Sequence, residues 1–150
     1  MRISAKADYA VRAALELAAA EGPVKGDVLA RAQGIPLKFL ENILIDLRHS
    51  GIVRSQRGPE GGYWLARPPA EISVADVIRS VEGPLASVRG ESPEDLDYAG
   101  AAQHLQHVWV ALRANLRGVL ETVTLEDVVK DRLPKKVLRL TEDPGAWARR

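Results

Sequence analysis

The chain of 150 residues contains no cysteine. Disulfides, thiolate redox sensing and cysteine-ligated clusters are therefore excluded, and with three histidines metal chemistry has few ligands to draw on. A long apolar run is also lacking. Arg2, Lys6 and Asp8 charge the N-terminal stretch and Glu16 interrupts the Ala-rich run behind it, so neither a secretory core nor a membrane span is expected and the protein is read as cytoplasmic. No Gly-Lys-Ser/Thr follows the glycines, which argues against a phosphate-cradling nucleotide loop. No nucleophile–base pair and no paired carboxylates in a plausible cleft point to an enzyme. Repeats and low-complexity segments are absent.

Net charge is equally uninformative, being only +1, but its distribution is not. Through Arg67 ten Lys and Arg stand against seven Asp and Glu, whereas from Glu71 to His107 two stand against seven. Basic ends and an acidic middle suit a DNA-facing head with a separate regulatory region; they also suit a mixed surface. The length allows one domain with a real core and an appended dimerisation element.

The most informative stretch runs from Gln33 to Tyr63. Leu40, Ile43, Leu44 and Leu47 recur at the spacing of one buried helical stripe. Pro36 suits the first turn of that helix and Gly51 a left-handed cap after it. Lys38, Glu41, Asn42 and His49 fall on the opposite face, able to meet phosphates or base edges in a major groove or simply to be solvated. Ile45 breaks the polar face; it touches a thymine methyl, packs on another element, or is exposed. Lys25 to Gln33 reads as a short helix ended by Gly34 just before the next begins, which is helix-turn-helix spacing. After Gly51, Ile52–Gln56 and Tyr63–Ala66 are strand candidates joined by Arg57-Gly58-Pro59-Glu60-Gly61-Gly62. This is a hairpin with an arginine at its tip, placed either to enter a minor groove or as an ordinary surface turn.

Elsewhere, Ser4 is a good N-cap for a helix to about Ala20, with Ala10, Ala14, Leu17 and Ala18 as its small apolar stripe. Ser73 with Asp76, and Thr124 with Asp127, read as capping boxes. Leu85 to Gly100 holds Pro93, Glu91, Glu94, Asp95 and Asp97 and reads as a solvated loop. From Ala101 to Val123, Leu105, Trp109, Leu112, Leu116, Val119 and Val123 step by four and three, a heptad seam on a helix of roughly 35 Å. Its cover is either the same helix of a second subunit or the chain's own domain. Lys135 to Arg150 reads as a loosely held tail.

Met1 to Ala10, Gln33-Gly34-Ile35, Phe39-Leu40-Glu41-Asn42, Leu47-Arg48, Gly51-Ile52-Val53, Arg57-Gly58-Pro59 with Gly61-Gly62-Tyr63, and Val81-Glu82-Gly83 together resemble the bacterial winged helix-turn-helix regulators of the IscR, NsrR and CymR type, the Rrf-two family. The resemblance covers about residues 1 to 130. It implies a dimeric repressor or activator that binds a pseudo-palindromic operator in double-stranded DNA. Lys38, Phe39, Glu41 and Asn42 are then expected at the major groove, Arg57 in the minor groove, and Lys6 with Gly58, Gly61 and Gly62 against the backbone. Where relatives often have a Ser that caps the helix and contacts phosphate, this chain has Pro36.

The resemblance also marks a departure. Cluster-binding members carry three cysteines in the loop and at the start of the long helix, and the equivalent positions here, aligned without gaps, are Ser92, Tyr98 and His104. His107 falls where some members carry a ligand histidine and Asp8 where some supply a carboxylate from the other subunit. His104 and His107 either share a metal with a third ligand or form a plain surface or interface pair; no cofactor and no metal are expected. A cluster-free relative of the CymR type responds through a partner enzyme, so an effector molecule or a partner protein is implied here. The alternative is a winged-helix interaction module that does not read DNA.

The expected fold is mainly α with a small β-hairpin wing. It has a winged helix-turn-helix domain over 1–83, an acidic loop over 84–99, a dimerisation helix and short final helix over 100–132, and a tail over 133–150.

Overall fold

A computed structural model describes residues 1–150. The first helix, α1 (Ala5–Ala19), is capped by Ser4, whose side chain accepts the Ala7 N–H. Ala7, Ala10, Ala13, Ala14 and Leu17 are its buried residues. Four methyl-sized side chains on one helix let neighbours approach closely, and most of the fold packs around it: α2 (Gly26–Gln33), α3 (Leu37–His49), α4 (Val74–Glu82), α6 (Leu125–Val129) and one wing strand all touch α1. Enlarging one of these alanines would overpack the core, at a cost of about 1–3 kcal/mol.

Helix α2 ends where Gly34 turns left-handed at φ 62°, and the Ile35 N–H returns to the Ala30 carbonyl at 2.9 Å. Ile35 is thereby buried and α3 starts almost at once. Pro36 stands one place outside the helix, at the N-cap with ψ 124° and no side-chain cap, and not in the first turn as expected. Leu40, Ile43, Leu44 and Leu47 are buried, and Gly51, at φ 76°, closes the helix.

The wing pairs β1 (Val53–Gln56) with β2 (Gly62–Leu65), Val53 opposite Leu65 and Gln56 opposite Gly62. A third element joins this hairpin: Val24 exchanges both backbone hydrogen bonds with Tyr63, at 2.9 and 2.8 Å.

The two expected capping boxes are both formed, Ser73 with Asp76 at α4 and Thr124 with Asp127 at α6. They stand side by side, because the Val74 N–H donates to the Val123 carbonyl and the Leu125 N–H to the Ile72 carbonyl, each at 2.9 Å. The chain after the long helix thus returns to the main core, where Leu125 is fully buried.

Three segments differ from the sequence reading. The long helix α5 spans Leu105–Leu120 and is about 24 Å long; a 3₁₀ turn over Gly100–Ala102 precedes it. Val123 has left the seam and is 6% exposed in the core beside Val74, so its expected interface role is corrected. The 85–100 loop is folded, not solvated throughout: Leu85, Pro93 and Leu96 are buried, while Glu91, Glu94, Asp95 and Asp97 keep to the surface. The tail forms α7 (Lys135–Thr141) and α8 (Pro144–Trp147), with Pro134 at the N-cap of α7; Val137 is buried, while Leu138, Leu140 and Trp147 stay exposed.

Candidate nucleic-acid interface

Helix α3 divides its side chains cleanly. The apolar stripe faces α1, and Lys38, Glu41, Asn42 and His49 are exposed. Phe39 and Ile45 are each 43% exposed on the same helix, so neither belongs to the core. The start of α3 lies beside the wing: Gly26 meets the Tyr63 ring at 3.7 Å and the Leu37 side chain at 4.0 Å, measured from where its Cβ would stand. An exposed polar helix face and an exposed arginine on a hairpin turn supply donors, acceptors and a cation, the combination with which winged helices read a groove and hold the backbone.

Arg57 is exposed at the tip. Gly58, at φ 103°, has nothing near its missing Cβ and is open to solvent. Gly61 and Gly62 are different. Both are buried; a Cβ on Gly61 would overlap the Gln56 carbonyl, and one on Gly62 would lie 2.7 Å from the Val24 carbonyl. Their absent side chains close the turn and admit Val24, which corrects the expectation that they lie against a DNA backbone.

Lys6 is also committed inside the protein, its Nζ 2.8 Å from the Asp46 carboxylate on α3. Both side chains are partly exposed, so the pair is worth at most about 1 kcal/mol; it ties the start of α1 to α3 more than it offers a free cation.

Sequence reasoning missed the aromatic support of Phe39. The Tyr9 ring meets Phe39 edge to face at 5.6 Å, and the Arg12 guanidinium lies 4.9 Å over the Tyr9 ring. Arg12 Nη1 donates to the Gln33 carbonyl at 2.8 Å, and Gln33 Nε2 donates to Glu16 at 2.6 Å. Arg12 Nε is 3.0 Å from the Asp8 carboxylate but misaligned for a hydrogen bond, so that contact is ionic only. One arginine thereby joins α1, the last turn of α2 and, through Tyr9, the first turn of α3. Asp8 and Tyr9 lie within reach of Arg12 along α1 itself, but local sequence announces neither the Arg12–Gln33 nor the Tyr9–Phe39 contact, which cross to other helices.

The acidic loop is held on α5. Gln106 Nε2 donates to the Glu94 carbonyl at 2.9 Å, Arg113 pairs with the Glu94 carboxylate, and Trp109 Nε1 donates to the Tyr98 hydroxyl at 3.0 Å. A backbone N–H, then Arg113, hold the Glu94 carboxyl below the usual carboxylate range. Among the seam residues, Leu105, Trp109, Leu112, Leu116 and Val119 are half-buried, whereas Val108 is 55% exposed.

The positions equivalent to cluster ligands do not form one. Tyr98 is engaged with Trp109, and the His104 and His107 rings, 6.3 Å apart, are exposed. Asp8 is turned to Arg12, and no three His, Asp or Glu converge. Without a thiolate this donor set does not fit an iron–sulfur centre.

The fold and the site define a DNA-binding winged-helix transcriptional regulator. Residues 3–131 match the Rrf2 family, described as an iron-dependent transcriptional regulator, and the chain belongs to that family. It is 57% identical over 145 residues to an HTH-type transcriptional regulator of Mycobacterium tuberculosis, covering 95% of this chain and 90% of that one. It is 37% identical over 134 residues to IscR of Photorhabdus laumondii, covering 87% and 80%. Among solved structures it is similar to CymR, the global cysteine regulator of B. subtilis (TM-score 0.74, 33% identity, 87% of this chain and 98% of that one). It is also similar to T. potens IscR (TM-score 0.71, 35% identity, 87% and 88%). The family's iron description is where this chain's own donor set departs.

Proposed function

We propose that this protein is a homodimeric, cluster-free transcriptional repressor that binds a two-fold symmetric operator in the cytoplasm. The observation that carries the reading is α3, which buries Leu40, Ile43, Leu44 and Leu47 and presents Lys38, Phe39, Glu41 and Asn42 beside the wing. Lys38 and Asn42 suit phosphate and base-edge contacts, Glu41 can accept from a cytosine amino group, and Arg57 suits a narrow minor groove.

Helix α5 supports the dimer. Most of its residues are apolar and none is buried in the single chain, and the same helix of a second copy supplies a matching cover with two-fold symmetry. Repression then requires only that the dimer occupy promoter DNA, with an effector molecule or partner protein altering that occupancy. Histidines and a carboxylate do not replace the missing thiolates, so an iron–sulfur cluster takes no part.

Selection from random duplexes tests the reading. A symmetric sequence should be enriched, its half-site centres about one helical turn, roughly 34 to 36 Å, apart. Enrichment of no symmetric site would overturn it.

A further inference from the structure

The wing tip is held by a residue outside the wing. In the turn between β1 and β2 the Gly58 carbonyl accepts the Gly61 N–H at 3.0 Å and also a hydrogen bond from Lys25 Nζ. The Gly58–Pro59 peptide has no N–H, so this carbonyl is its one hydrogen-bonding handle, and both lone pairs are taken. Lys25 lies 33 positions earlier, at the N-cap of α2. A lysine there is unfavourable toward the helix dipole, and it makes no side-chain cap. No carboxylate pairs with it among the ion pairs of the chain. Its ammonium is turned to the wing, while its neighbour Val24 holds β2 through Tyr63, one residue from the Gln56–Gly62 pair that closes the turn. Arg57 directly precedes the tethered Gly58 and is exposed.

We propose that Lys25 is a positioning residue for Arg57: it fixes the wing tip in one conformation, so that Arg57 enters the minor groove already ordered, and it thereby sets the discrimination the wing contributes. The inference rests on the DNA-reading role proposed above. Preorganisation of this kind raises affinity by removing an ordering cost, without a new contact to the ligand.

A lysine at the first helix of a helix-turn-helix has another ordinary use, touching a phosphate, and the two uses leave different traces. A phosphate contact adds about 0.9 to the slope of log affinity against log salt. A tether adds nothing to that slope, and its effect vanishes once Arg57 is gone.

The experiment compares the parent, Lys25→Met, Arg57→Ala and the double variant on the selected operator and on a scrambled duplex across a salt series, with thermal melts of each protein. The Gly61 N–H stays on the Gly58 carbonyl in Lys25→Met, so the hairpin is retained and the melt should match the parent. Expected is a loss of roughly tenfold on the operator with little change on scrambled DNA and an unchanged salt slope. The double variant should bind no more weakly than Arg57→Ala alone. Parent-like operator binding by Lys25→Met, an equal loss on both duplexes with a slope shallower by about one, or additive losses in the double variant would each overturn the tether. If Arg57→Ala itself binds like the parent, the wing's DNA role fails, and the tether falls with it.

Discussion

Phe39, the single phenylalanine of the chain, meets Tyr9 edge to face with ring planes at 90°. The reading helix thus rests at its first turn on α1, the helix around which the core is built, and Arg12 locks the same tyrosine to the end of α2. Orientation of the α3 surface proposed to face DNA is therefore set in part by Tyr9 and Arg12, which are half-buried behind it.

Tyr9→Leu keeps apolar volume and removes the ring pair and its cation partner. Stability should fall by about 0.5–1.5 kcal/mol, and operator affinity should fall more than affinity for scrambled DNA. Denaturant unfolding and binding titrations check this. Parent values for both would show that α3 holds Phe39 in place unaided.

Leu112→Asp and Val123→Asp should fail differently although both stand on the heptad pattern. Leu112 is half-buried on α5, and a charge there should split the dimer while each chain stays folded. Val123 is in the core beside Val74, so its aspartate should cost on the order of 3–5 kcal/mol and unfold the domain. Sedimentation with circular dichroism separates the outcomes; an unchanged dimer in Leu112→Asp would move the interface elsewhere.

Protein purified anaerobically should be colourless and free of iron and acid-labile sulfide, because no thiolate is present to hold a cluster. Elemental analysis and a visible spectrum decide it. Stoichiometric iron and sulfide, lost in His107→Ala, would falsify the cluster-free reading.

Glu94→Gln should loosen the 85–100 loop without unfolding the core, since it removes the carboxylate that Arg113 holds. The Glu94 carboxyl is lowered in the folded protein, so its contribution is complete above the ordinary carboxylate range and is lost as pH falls through its depressed value. Protection from hydrogen exchange at residues 85–100, taken relative to the intrinsic amide rate at each pH, should therefore fall in Glu94→Gln at neutral pH and in the parent at strongly acidic pH. Equal protection in both proteins at neutral pH would place the loop's anchor on its apolar contacts and on the Gln106 and Trp109 hydrogen bonds.

What the sequence by itself determined was local. Ser4, the Ser73–Asp76 and Thr124–Asp127 boxes, the left-handed turns at Gly34 and Gly51, and the stripe from Leu40 to Leu47 all act within a turn or two of chain, and each formed where its spacing placed it. The polar face of α3 and the exposed Arg57 were legible for the same reason. Tertiary structure decided the rest, because it concerns which distant groups meet. Lys6 pairs with Asp46, Gly61 and Gly62 are needed for their own chain's close packing, and Val123 is drawn from the heptad seam into the core, its carbonyl accepting the Val74 N–H. Leu85, Pro93 and Leu96 find apolar cover that a count of acidic neighbours could not foresee. Periodicity and caps encode an element; the partner that satisfies an exposed charge or covers a half-apolar face is chosen only when the elements pack.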